Sequence, residues 1–250
     1  MEKERSNSVQ KIVKNNISKA DITRINLNES NFKRFNLIGI DLREANLKES
    51  NFEGVNLMGA KLEGANLEGA NFREANLKWA NLRKANLEGA NLERANLIEV
   101  DLREANLMDT NLEGANLEGA NLIKTNFYGA DFQKANLEKA NLEGTNLVEA
   151  NLEKTNLMGA NLQWVYLKGV NLKEADLQEA NLKDAYLKEV YLERANLKKA
   201  NLESAFLGEA YGLSLDQLSK VKTLYDTKLD EKLLIQLKEK YPILFEETNG

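Results

Sequence analysis

From Ile22 to Leu207 a large apolar residue stands at every fifth position, always Leu, Ile or Phe. Two places before this centre the residue is usually Ala, replaced in places by Ser, Thr or Val; one place before it is usually Asn or Asp. The unit is clean in Ala65-Asn66-Leu67-Glu68-Gly69 and the next five, Ala70-Asn71-Phe72-Arg73-Glu74. A period of five matches neither the 3.6 of an α-helix nor the 2 of a simple strand, and a helix would smear the centres around its circumference. Within a unit, two apolar residues flank one polar residue, which is a minimal strand alternation. The last two places, rich in Gly, Glu and Lys, read as a turn. Twelve of the 15 Gly occupy the second place after a centre, as Gly54, Gly59 and Gly64 do, which suits a backbone site where a positive φ is sometimes needed.

If each unit is one short side ending in a corner, four sides close a square coil of 20 residues, and coils stack about 4.8 Å apart through parallel ladder bonds. Sorting centres by position modulo 20 supports four sides: Phe32, Phe52, Phe72 and Phe132 fall in one column, with Phe127 the one Phe centre outside it. The motif resembles that of the pentapeptide repeat family, [Ser/Thr/Ala/Val]-[Asp/Asn]-[Leu/Phe]-x-x, over roughly residues 20 to 211. The resemblance implies an all-β fold, a right-handed quadrilateral parallel β-helix with the centre and the residue two before it pointing inward. One coil cannot bury enough apolar surface to stand alone, so stability comes from stacking on neighbours. Leu and Ala layers leave a dry, filled interior, and function is expected on the outer surface or at the ends.

The expected organisation is an N-terminal segment at 1–19, the repeat body at 20–212 and a helical C-terminal cap and tail at 213–250. Bulky Ile25, Phe35 and Ile40 replace Ala near the start and are expected to close that end. After Tyr211-Gly212 the register stops. Ser214 and Gln217 have the spacing of a capping box, and Leu218, Val221, Leu224 and Tyr225 fall at helical spacing. Asp230 reads as the N-cap of a second helix carrying Leu233, Leu234 and Leu237 and ending at Pro242. These two short helices, over 214–241, are expected to cover the last coil, whose open edge would otherwise invite polymerisation.

Composition narrows the chemistry. The 250 residues include no His, no Cys and one Pro. Imidazole general bases, thiolate nucleophiles and the usual zinc sites are therefore excluded. Other β-helix enzymes of the acyltransferase kind rely on His, and no cleft is expected here to perturb a carboxylate or exclude water. A noncatalytic role is expected, with no cofactor and no metal; one carboxylate per coil on a flat side does not converge on Ca²⁺. The net charge of −5 is too mild and too unclustered in Lys and Arg for nucleic-acid binding. Met1–Ser18 is polar throughout, and nothing approaches the roughly 20 apolar residues of a membrane span, so a cytoplasmic location is the default expectation.

Two outward columns stand out. In the place before the centre, Asn gives way to Tyr166, Tyr186 and Phe206, stacked on one side, and to Tyr191 and Tyr211 on the adjacent side. They read either as an aromatic patch for a partner or for self-association, including a homodimer through the C-terminal end, or as the surface that the C-terminal helices cover. A corner column contains Glu29, Glu49, Asp109, Glu149, Glu189 and Glu209, interrupted by Gly and by no Lys or Arg. Pentapeptide repeat proteins that protect topoisomerases from quinolones are acidic rods resembling DNA, so the resemblance offers a gyrase-binding DNA mimic as the alternative to a structural or protein-interaction rod. The other columns mix Arg43, Lys84, Arg94 and Arg103 with Glu, and the loops that some of those inhibitors carry are missing. An outer column of Ile38, Met58, Ile98 and Met158, broken by Lys78, reads as ordinary scattered apolar surface. Trp79 and Trp164 occupy outward corners on different edges.

Overall fold

A computed structural model describes residues 27–33 and 35–247. The expectations placed on 1–19, Ile22 and Ile25 lie outside the described residues. The residue before each centre forms a parallel bridge to the residue 20 places on, from Asn31 with Asn51 to Tyr191 with Tyr211. The fold is a right-handed quadrilateral parallel β-helix. We number the sides by the first described coil: side 1 carries Asn31, side 2 Asn36, side 3 Asp41 and side 4 Asn46.

Every centre from Leu27 to Leu207 is no more than 3 % exposed, and the small residues two before them line the same interior. Phe35 and Ile40, at two of these small-residue places, are partly buried against that core. Rings in the Phe column lie flat on one another, with centroids 4.5 Å apart for Phe32 and Phe52 and 4.8 Å for Phe52 and Phe72, close to the expected strand spacing. Where Thr replaces Ala inside, its hydroxyl is satisfied: Thr125 Oγ1 donates to the Leu102 carbonyl at 2.7 Å and Thr155 Oγ1 to that of Phe132 at 2.9 Å.

A short side can be this regular because all its amides have partners. In residues 65–69, Ala65 N–H closes the turn onto the Leu62 carbonyl, Asn66 N–H reaches Ala45 in the coil before, and Leu67 and Gly69 N–H reach Asn86 and Glu88 in the coil after. The fifth amide, Glu68 N–H, donates to Asn66 Oδ1 at 3.3 Å, an Asx turn. Asn86 Nδ2 in turn donates to Asn66 Oδ1 at 3.5 Å. Asn at this place therefore completes its own side and joins a ladder along the rod.

Each corner is a turn whose third residue has positive φ, and this holds at every described corner from Glu29 to Glu209 whether or not the residue is Gly. Arg94, Glu104, Lys134 and Glu174 all adopt φ between 55° and 61°. A left-handed conformation costs a non-Gly residue about 1–2 kcal/mol, so the ladder imposes this geometry on side chains that disfavour it.

The C-terminal segment differs from expectation. Helix α1 is confined to Leu215–Leu218, with Ser214 and Gln217 forming the reciprocal capping box. Val221, Leu224 and Tyr225 do not extend it. From Val221 the chain returns to the coil: Thr223 bridges Asn201, Lys228 bridges Phe206, Leu224 is fully buried and Asp226 takes the positive φ of a corner. Leu224 and Leu229 are five apart, so two more sides form, displaced by the residues spent on α1. Thr223 even supplies the Asn-type turn, accepting from Tyr225 N–H at 3.0 Å. Long-range ladder bonds here outweigh helical periodicity.

The end is closed by side chains and by the last segment. Gln217 Nε2 donates to the carbonyls of Leu192 and Ala195 at 2.8 and 2.9 Å. Helix α2, Glu231–Lys240, buries Leu237, and Leu233, Leu244 and Phe245 pack against the core. Asp230 precedes it as expected, without a side-chain cap bond of its own; its Oδ1 accepts from Glu209 N–H at 3.3 Å. Leu224 N–H donates to the Leu244 carbonyl at 2.6 Å, which occupies an amide of the last but one side.

Two substitutions test these terms by chemical denaturation. Asn136 accepts from Glu138 N–H at 3.2 Å and from Asn156 Nδ2 at 2.9 Å, and donates to Asn116 at 3.0 Å; Asn136→Ala is expected to cost about 1–3 kcal/mol, and Asn136→Asp, which keeps the turn acceptor, less. Gly89 has φ 64° and open space where a Cβ would go. Gly89→Ala should therefore cost about 1 kcal/mol through the backbone alone; an unchanged stability would contradict the corner geometry.

Candidate interaction surface

The structure places Tyr166, Tyr186 and Phe206 on consecutive coils of side 4, and Tyr191 and Tyr211 on side 1, immediately around the corner. All five are between 37 and 56 % exposed. Neither α1 nor α2 buries them, so the reading in which the C-terminal helices cover this surface does not hold. Tyr186 and Phe206 stack at 5.3 Å between centroids and 17°, Tyr191 and Tyr211 at 4.9 Å and 23°. Lys173 Nζ lies 5.1 Å from the centroid of Tyr191.

Trp164 belongs to the same surface, which the separate treatment of corners and sides missed. It occupies the corner leading into side 4, two residues before Tyr166, with φ 57° and half its surface exposed. A bulky residue held at positive φ without burial is unusual. The readable signal was its sequence distance from Tyr166 together with the modulo-20 rule. The second outward place of side 4 adds Met108, Tyr128 and Val148 on the three preceding coils, all half-buried. An apolar strip thus runs along side 4 over six coils, ending in the exposed aromatic cluster.

The acidic column lies on the corner between the two aromatic columns. Glu29, Glu49, Asp109, Glu149, Glu189 and Glu209 all take the positive-φ place there, separated by Gly69, Gly89, Gly129 and Gly169. Cations from the neighbouring place approach it: Lys48 lies 3.9 Å from Glu49, Lys168 4.0 Å from Glu189, and Lys188 3.4 Å from both Glu189 and Glu209. Hydrogen bonding to Glu209, then its charge, then Glu189, hold the Lys188 pKa above the ordinary value. Tyr128 donates to Glu149 at 2.5 Å. Among the described residues no cluster of three or more acidic side chains converges as a metal site would require.

A family model described as pentapeptide repeats matches in 8 copies, with matched stretches running from 25–64 to 175–210. The chain is a pentapeptide repeat protein. HetL from the cyanobacterium Nostoc sp. strain PCC 7120, a pentapeptide repeat protein involved in heterocyst differentiation regulation, is similar at 30% identity, covering 82% of this chain and 89% of HetL, with a TM-score of 0.35. Rfr23 from the cyanobacterium Cyanothece 51142 is similar at 35% identity over 50% of this chain and 89% of its own, with a TM-score of 0.24. A trypsin-treated form of QnrB1, a plasmid-mediated fluoroquinolone resistance protein, shares the fold at 16% identity, 87% and 98% coverage and a TM-score of 0.55. No curated protein matches the chain.

Among the described residues, the other outward positions of this pentapeptide repeat protein form no comparable surface. Ile38, Met58, Ile98 and Met158 share side 2, with Lys78 among them. Trp79 is half exposed at the corner between sides 2 and 3, with Lys78 Nζ 4.4 Å from its centroid. Among the described residues no helix is long and apolar enough to cross a membrane.

The Tyr128 phenol titrates above its ordinary value, because it donates to the Glu149 carboxylate and because that charge opposes a phenolate. The neutral form is the favoured one, so Glu149→Gln should lower the Tyr128 pKa. A difference absorbance titration of the two proteins checks this; superimposable curves would show that the pair does not form in solution.

Proposed function

We propose that the protein is a noncatalytic interaction rod whose docking surface is the aromatic corner formed by Tyr166, Tyr186 and Phe206 on side 4 and Tyr191 and Tyr211 on side 1, with Trp164 at the far edge of side 4. One observation carries this reading. Five consecutive-coil positions that would complete the Asn ladder instead present rings to solvent. Tyr and Phe have no acceptor on Cγ, so the amides of Lys168, Lys188, Glu193 and Gly208 lose the partner that Asn supplies elsewhere. Each such bond is worth about 1 kcal/mol. Stability given up repeatedly at one exposed place is the pattern of a binding surface. The filled interior supports the noncatalytic part, as does the family, whose members are generally structural or interaction scaffolds.

The second reading, a gyrase-binding DNA mimic, draws on the acidic corner column. Six carboxylates over ten coils, at about 4.8 Å per coil, give roughly one charge per 8 Å, against one per ~1.7 Å in duplex DNA. Lys48, Lys168 and Lys188 offset it further. We therefore favour the aromatic corner. In a supercoiling assay the protein is expected to leave gyrase uninhibited at tens of micromolar, roughly the weakest affinity such a role could use.

The main reading is tested by affinity capture from the native host with the wild type and with Tyr186→Asn/Phe206→Asn. The variant restores the ladder residue at both places, so its thermal midpoint should be unchanged or higher while specific capture is lost. Identical captured sets would refute the surface.

A further inference from the structure

The geometry points to a second copy of this chain as the partner of the aromatic corner, the two rods lying side by side. This inference rests on the interaction reading above and names the partner.

The four stacked rings disfavour flat ligands. In both stacks the ring faces are turned toward each other along the rod, and the second face of Tyr191 is met by Lys173. What points outward is ring edges and phenol hydroxyls, spaced 4.9 to 5.3 Å apart. Nucleobases and other flat rings bind aromatic residues face to face, and the facing surfaces of Tyr186 with Phe206 and of Tyr191 with Tyr211 are already occupied. A surface that matches such a row must repeat at the same interval along the rod. A parallel β-helix does so by construction, at about 4.8 Å.

Charge points the same way. Lys168, Lys173 and Lys188 lie around the rings together with Glu149, Glu189, Glu193 and Glu209, three cations and four carboxylates, with Lys173 3.7 Å from Glu193. A partner of either sign alone would meet repulsion from three or four of them. A twofold-related copy presents the same mixture, and an isologous contact can set cations on one rod against the acidic corner of the other. Glu149, Glu189 and Glu209 occupy the corner and the lysines the flat sides, so most of the two signs are offset rather than superposed.

Area is sufficient. Six aromatic side chains of about 200 Å² each, 37 to 56 % exposed, leave roughly 500 Å² of aromatic surface spread over side 4 and the adjoining part of side 1, at the upper end of what monomers expose. With the flanking lysines and glutamates it reaches the ~800 Å² per partner of a stable complex. The C-terminal cap exposes a smaller apolar set, Ile235, Tyr241 and Ile243, which is the alternative contact for an end-to-end pair.

The test uses the full chain and sedimentation equilibrium from about 1 to 100 μM, a range that brackets a micromolar dissociation constant. The wild type is expected to reach the dimer mass. Tyr186→Asn/Tyr191→Asn is expected to weaken association by about 100-fold or more, as loss of central aromatic anchors does, with an unchanged circular dichroism spectrum and thermal midpoint. Ile235→Asp/Ile243→Asp should leave the dimer intact. A monomeric wild type, or a dimer that survives the tyrosine changes and is lost with the isoleucine changes, overturns the side-by-side pair. If the wild type is monomeric yet the aromatic variants still lose a captured host protein, only the choice of partner fails. If they lose neither mass nor capture, the interaction surface fails with it.

Discussion

Each five-residue side has five backbone amides, and backbone carbonyls accept four of them. The Asn side chain before the buried centre takes the fifth, as Asn66 does for Glu68, while its own amide group reaches the next Asn in the column. Without it every side would leave an amide unpaired along a rod whose sides number in the dozens. The regularity of the fold depends on this one side chain more than on the identity of the centre, which can be Leu or Phe. Where Asp replaces Asn the turn survives, as at Asp101, whose carboxylate accepts from Arg103 N–H at 3.2 Å and also from its guanidinium. Where Thr223 stands in, a hydroxyl does the same work.

The ladder also explains the corners. Positive φ at Arg94 or Glu174 costs about as much as one such hydrogen bond contributes, so each side carries a small, repeated conflict that the stacking of coils resolves. Seen this way, the aromatic corner is a local reversal of the same exchange. Tyr166, Tyr186 and Phe206 give up the Asn bond, and Trp164 keeps a strained corner without the freedom of Gly or burial of its ring. Ring stacking returns about 0.5–1.5 kcal/mol per pair, which holds the columns in order and leaves their edges for a partner.

The repeat, the four sides and the inward centres were legible in the sequence because period and composition repeat without interruption, and the Phe column at 32, 52 and 72 appears as stacked rings. The aromatic columns were legible by the same modulo-20 rule. Their exposure was not, since sequence spacing could not tell whether α1 and α2 lay over them. Trp164 was missed as a member because a corner and the side it feeds are different places in the repeat but neighbours in space. The segment after Gly212 was misread where two periodicities compete: Leu218, Val221, Leu224 and Tyr225 suit a helix, while Leu224 and Leu229 suit the coil. Bonds from Leu202, Ser204 and Leu207 to residues around 20 places later decide for the coil, and no local pattern reports such bonds.

The sequence by itself determined the coil, the inward and outward faces and the absence of His and Cys chemistry, because each follows from local residue type repeated in register. Tertiary structure decided three things that depend on what lies one coil away. It put every described corner in the left-handed region whether or not Gly was present, since the ladder fixes φ. It matched the acidic column with Lys48, Lys168 and Lys188 from the neighbouring place, so the carboxylates do not form a bare negative ridge. It left five aromatic rings in solvent on the two sides of one corner, with Trp164 exposed at the far edge of side 4, because the chain after Gly212 re-enters the coil and closes the rod at its end instead of along its side.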